Sequence, residues 1–183
     1  MMIPIRMMMM PCWFGFCSLL LSVPYYVPIV SSLPAGFVKE LIVNTPAVTG
    51  TWATNPRSPE GKSMLILASK TGTIKVLENP DESDKVFPIL DLRFDQKDLC
   101  TNGERGVQGI AIHPQFDTNG FVYLLSPVYV EGCPEKTDDA PWNIVARFRM
   151  NPTTLQLDPK SKKVIWRGGK TYKNVHNGGA MAF

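Results

Sequence analysis

An excess of charge of either sign is what this sequence most plainly lacks. Its 19 Lys and Arg stand against 16 Asp and Glu, a formal net charge of +3, and the basic residues are scattered among acidic ones. That balance leaves no electrostatic footprint for a phosphate polymer, so nucleic acid is not an expected partner. No segment of twelve residues sustains a helical stripe, which sets helical folds aside. The cysteines lack the neighbouring His pair of common zinc sites, and no metal ligands are assigned. Apolar residues are not short: 44% hydrophobic and 19% charged residues describe a core-forming chain rather than a disordered one. Its 183 residues suffice for one domain or for part of a larger one.

Charge is also missing locally. Arg6 is the only charged residue before Lys39, and it precedes an apolar run from Met7 to Val23. A basic start, an apolar core and small residues at Ser31 and Ser32 read as a secretory signal over residues 1–32. The other reading is an uncleaved membrane anchor, for which Pro11 and Pro24 shorten the clean helix. Either places the folded part, residues 33–183, outside the cytosol, secreted or held at a membrane. Cys12 and Cys17 fall in this leader, which leaves Cys100 and Cys133. In an oxidising compartment such a pair is most simply a disulfide, with two free thiols as the alternative.

Beyond the leader, period-two alternation dominates. Strands are predicted over 37–43, 63–69, 73–77, 87–92, 107–112, 121–128, 144–150 and 163–166, with Lys70-Thr71-Gly72 as a hairpin turn. Asn79-Pro80, Asn119-Gly120, Asn151-Pro152 and Asp158-Pro159 separate them as turns. Residues 44–62 and 130–142 read as loops, the second tied to the Gly-Glu-Arg-Gly stretch at 103–106 by the presumed Cys100–Cys133 bridge. Many short strands at steady spacing imply an all-β sandwich, barrel or propeller. The last residues, Val175 to Phe183, read as a strand just opening, so the fold is expected to be incomplete here.

The most informative block is Asn102 to Tyr123, where a Gly103-Glu104-Arg105-Gly106 elbow precedes two apolar runs. Glycines let the backbone turn sharply there and aim two opposite charges. His113-Pro114-Gln115-Phe116 reads as a turn rather than a catalytic site. Gln108 puts an amide at the start of the strand that follows, so it must find partners if buried. Trp52, Trp142 and Trp166 read as core-packing residues in preference to ligand-stacking ones.

These pieces form a recognisable order. Leu33-Pro34-Ala35-Gly36-Phe37, Ser69-Lys70-Thr71-Gly72-Thr73-Ile74, Leu90-Asp91-Leu92, the Gly103–Gly106 elbow, His113 to Phe116, Asn119 to Tyr123, Arg147-Phe148 and His176-Asn177-Gly178-Gly179 resemble the glucose/sorbosone dehydrogenase family. That family is similar to the soluble quinoprotein sugar dehydrogenases and to the hedgehog-interacting proteins. The resemblance implies a six-bladed β-propeller with its cofactor, pyrroloquinoline quinone, at one mouth of the channel. The residues after the leader would supply two or three four-stranded blades, and such a piece is not expected to be active by itself. The implied reaction is oxidation of the anomeric hydroxyl of an aldose or related sugar, with hydride passing to the quinone. His176 matches the general base of that reaction and would also contact the cofactor, its other reading being a loop histidine packed under the first strand of a new blade; Glu104 and Arg105 would contact the cofactor too, or else form an internal salt bridge that fixes the elbow. The residue before the base is acidic in soluble glucose dehydrogenase but is Val175 here, so an orienting carboxylate must come from elsewhere. Calcium is implied only through positions beyond Phe183. The alternative class is a non-catalytic extracellular propeller that binds a protein or glycan, as the hedgehog-interacting proteins do.

Overall fold

The computed structural model describes residues 40–58, 60–81, 85–95, 98–129, 133, 140–173, 175 and 177–183. The predicted leader, residues 1–32, and His176 lie outside the described residues. Eight strands form two antiparallel sheets, each a meander in which every strand pairs with the next. The first holds β1 (Thr49–Thr54), β2 (Ser63–Ala68), β3 (Thr73–Glu78) and β4 (Val86–Asp91); the second holds β5 (Gly109–Ile112), β6 (Phe121–Val128), β7 (Trp142–Met150) and β8 (Leu157–Lys170). Two single helical turns, α1 (Leu92–Asp95) and α2 (Phe116–Asn119), sit between strands. Two consecutive four-stranded meanders are two blades of a propeller, so the all-β propeller expected of this sequence is what it forms.

Alternation builds the core. Met64, Ile66, Ile74 and Val76 point from the first blade into one cluster with Val122, Leu124, Ile144 and Phe148 of the second, all fully or nearly fully buried. Each such side chain contributes roughly 1.5–3 kcal/mol of burial, and the shared cluster fixes the blades face to face. The first strands, β1 and β5, lie against each other. A Cβ on Gly109 of β5 would come within 2.1 Å of the Gly179 carbonyl oxygen, so the Gly-Gly segment near the end of the chain packs directly on β5.

Several sequence expectations are corrected. Among residues 40–43 no strand forms, and Leu41 is 78% exposed. Residues 44–62, read as a loop, contain β1. Its Thr51 pairs with Ile66 and its Ala53 with Met64, and its small, polar, β-branched residues suit a half-buried edge while imitating loop composition. Asp158-Pro159 does not end a strand but lies within β8, which runs far beyond the 163–166 expected. There Lys160 N–H donates to Asp158 Oδ1 at 2.9 Å and Arg149 N–H donates to Ser161 Oγ at 2.8 Å, and the register shifts between Arg147 and Arg149. Proline is tolerated because the strand is at the sheet edge. Trp52 and Trp166 are half exposed rather than buried in blade packing, whereas Trp142 is partly buried against the core.

The Cys100–Cys133 disulfide is present, with Cα atoms 5.1 Å apart and a sequence separation of 33. Cross-linking a loop of that length is worth about 3–4 kcal/mol in the chain-entropy model. The Cys100→Ser/Cys133→Ser double variant should therefore lose about 3–4 kcal/mol of unfolding free energy, read as a lower guanidinium midpoint, and an unchanged midpoint would show the bridge to be energetically idle.

Candidate functional site

The elbow is built by docking onto the preceding blade. After Cys100 the chain turns at Asn102, whose carbonyl accepts from Arg105 N–H at 3.1 Å, and Gly103 and Gly106 take positive φ values of 60° and 137°. Val107 N–H then donates to the Lys70 carbonyl at 3.0 Å, while Lys70 Nζ donates to the Gly103 carbonyl. Lys70 belongs to the β2–β3 turn, so that hairpin holds the elbow at both of its glycines.

The two elbow charges part company. Glu104 is exposed and faces a cleft, whereas Arg105 is only 2% exposed. Arg105 Nη1 donates to Asn102 Oδ1 at 3.1 Å and Nη2 donates to the Thr171 carbonyl. Asn102 Oδ1 is also 2.9 Å from Cys133 Sγ. This oxygen meets a disulfide sulfur that carries no proton, so the approach is a packing contact. Burial pulls the guanidinium pKa below its usual value, yet Arg stays charged at neutral pH. Arg105 thus ties the elbow to the segment that follows β8 and does not line the cleft.

The cleft has a volume of about 390 Å³, and its walls include Val48, Lys70, Glu104, Val107, Gln108 and Asn177. Among the described residues, Gln108 Oε1 and Asn177 Nδ2 are buried without a hydrogen-bond partner. Leaving such groups unpaired costs about 1–3 kcal/mol each, and both belong to residues of the cleft wall. The other end of Asn177 is fixed, since its carbonyl accepts from Asn143 Nδ2 at 3.3 Å. Gly178, at φ 91°, has nothing within 4 Å of a Cβ position, so the wall is open there. A smaller cavity of about 70 Å³ beside Phe116 and Met150, past the other end of β5, has no such orphaned atoms among its lining residues.

Of the residues singled out in the sequence, the fold brings Glu104 and Gln108 together at the cleft, with Asn177 of the His-Asn-Gly-Gly motif, and sends Arg105 beneath it. Lys70 had signalled only a turn; nothing in the sequence reveals that a hairpin lysine reaches a site formed by the next blade. His113 behaves as a turn residue. Its Nδ1 accepts from Gln115 N–H at 3.0 Å and from Asn119 Nδ2 at 2.8 Å, and its ring stacks on Tyr123. Among the described residues, no group of three or more His, Cys, Asp or Glu is placed to hold a metal ion.

Several solved structures are similar. They include the PQQ-bound form of Aldose Sugar Dehydrogenase from Streptomyces coelicolor, at 18% identity over 74% of this chain and 39% of that one, with TM-score 0.48. A glucose dehydrogenase matches at 21% identity over 56% of this chain and 26% of that one, with TM-score 0.43. The soluble aldose sugar dehydrogenase of Escherichia coli in its apo-form matches at 11% identity over 65% of this chain and 33% of that one, with TM-score 0.42. The chain therefore spans well under half the length of these structures. A search of the curated proteins gives no match. The sequence model of the Glucose / Sorbosone dehydrogenase family matches residues 51–183, a stretch that holds seven of the eight strands and most of β1. On that match the chain belongs to the glucose/sorbosone dehydrogenase family.

Proposed function

We propose that the whole protein is an extracytoplasmic quinoprotein sugar dehydrogenase that oxidises the anomeric hydroxyl of an aldose, with pyrroloquinoline quinone as the hydride acceptor. The observation that carries this reading is the pair of orphaned buried atoms, Gln108 Oε1 and Asn177 Nδ2, in the cleft beside the His176 motif. The quinone bears several carboxylates, and the cleft suits part of it. Asn177 Nδ2 and the Lys70 ammonium are donors for its oxygens, and Val48 and Val107 offer apolar walls for a flat ring system. Glu104 opposes a carboxylate, so it belongs on the substrate side. When bound, the quinone would supply a two-electron sink for hydride.

The chain's own residues would do the rest. Gln108 Oε1 accepts from a sugar hydroxyl and fixes the ring, and His176 takes the anomeric hydroxyl proton as hydride leaves carbon, giving the lactone. Imidazole titrates near neutrality, which suits that proton transfer. With Val175 in place of an acidic neighbour, Glu104 on the cleft wall would supply a carboxylate to orient the substrate. The Cys100–Cys133 bridge supports an oxidising compartment.

The test uses the full-length protein reconstituted with the quinone and assayed with an artificial electron-accepting dye and a panel of aldoses. Sugar-dependent dye reduction that requires the quinone is the expected result. Quinone binding with no turnover on any aldose would overturn the catalytic reading and leave a non-catalytic propeller.

A further inference from the structure

The cations that look scattered along the sequence are not scattered in the fold. β8 carries five of them against Asp158 alone, a net of +4, so all other residues together carry −1 of the chain's formal +3. β8 ends its sheet and, among the described residues, pairs only with β7. Its outer edge therefore presents a row of backbone N–H and C=O groups. Lys162 is engaged by Asp98 at 3.2 Å, and Arg167 lies over the Trp142 ring at 5.2 Å. Lys160, Lys163 and Arg167 are exposed.

Between those cations lies an apolar triplet. Val164, Ile165 and Trp166 are 47%, 49% and 51% exposed. Adjacent β7 residues Val145 and Ala146 face opposite sides, as do Trp166 and Val164 paired with them, so apolar surface is shown on both faces of one edge. Val145 pairs with Trp166 and Ala146 with Val164, which leaves Ile165 as an extra residue in a bulge. The Trp166 ring is held over Gly168, where a Cβ would fall 2.1 Å from it.

Lysine on an edge strand ordinarily prevents pairing with another copy, because two such edges would set like charges opposite each other. That accounts for the cations and rules out a second copy as the occupant. It does not account for three exposed apolar side chains on the same edge. An acidic strand with apolar residues between its carboxylates would satisfy the backbone row, the cations and the triplet together. We propose that the outer edge of β8 is a docking site for an extended acidic peptide segment of a partner protein, which adds to the second blade as a fifth strand. Main-chain pairing supplies affinity in such additions, and the side chains supply selection. No residue of the β8 edge lines the cleft, so this site stands apart from the proposed oxidation.

The experiment is fluorescence anisotropy on the full-length protein with a labelled ten-residue peptide alternating glutamate and valine. Saturable binding is expected, weakened about tenfold by Lys163→Glu/Arg167→Glu and several-fold by Val164→Ser/Trp166→Ser. A peptide of equal charge with proline in place of each valine should not bind, since it cannot pair as a strand. This comparison needs only the unaltered protein, so it holds even if a variant fails to fold. Equal binding of the proline peptide would overturn the proposal in favour of simple charge attraction. So would capture by heparin or by phosphatidylserine vesicles with no binding of the glutamate–valine peptide, or indifference to the variants. Sugar oxidation should be the same in both edge variants as in the parent.

Discussion

Gly106→Ala should destabilise the protein by at least about 3 kcal/mol and collapse the cleft with it. A Cβ at this position would stand 2.2 Å from the Lys70 carbonyl oxygen and 3.0 Å from its carbon. Both are backbone atoms of the β2–β3 turn, which cannot swing aside as a side-chain tip would. The φ of 137° adds strain of its own, since non-glycine residues held in such regions cost about 1–3 kcal/mol. Relief requires pulling the elbow off the hairpin, which breaks the Val107 N–H to Lys70 carbonyl bond and strands two groups at about 1–3 kcal/mol each. Guanidinium unfolding of the full-length variant measures the loss. A folded variant with a midpoint close to the parent would mean that the elbow is not clamped as described. Gly103→Ala is the control, with φ 60°, a left-handed value that costs an L-residue less.

Much of the blade structure could be read before any coordinates, because burial on one face imposes period two and the turns carried their own chemistry. β6 matches its expected limits at Phe121 and Val128, and Lys70-Thr71-Gly72 forms the hairpin read from it, with Gly72 at φ 98°. Strands failed to show where burial does not impose the pattern. β1 is a half-buried edge made of threonine and glycine, and the exposed length of β8 is polar and interrupted by Pro159. The candidate site was legible only in part, for a different reason. Its walls come from four separated stretches, around Val48, Lys70, Glu104 to Gln108, and Asn177, and their meeting is a tertiary fact set by how one blade's hairpin docks on the next blade's entry. Sequence could assign two charges to one elbow. It could not show that Arg105 turns inward to Asn102 and Thr171 while Glu104 stays at the cleft.

His176→Ala should lower the rate of quinone-dependent sugar oxidation by about 10²- to 10⁴-fold, the usual contribution of a positioned general base. Quinone binding should change far less, because the donors proposed to hold the cofactor are Lys70 and Asn177. The next residue, Asn177, is on the cleft wall with its carbonyl held by Asn143, so the backbone beside position 176 is anchored without the imidazole. The other histidine of this chain offers no substitute. His113 Nδ1 is committed to Gln115 and Asn119 and its ring to Tyr123, so His113→Ala should cost stability and leave the turnover of folded protein near that of the parent. The pH profile separates a base from a structural residue. With His176 present, activity should fall on the acid side as the imidazole gains a proton. In the alanine variant the residual rate should lose that limb. If His176→Ala keeps more than about a tenth of the parental rate, the proton goes elsewhere, and Glu104 becomes the group to replace next.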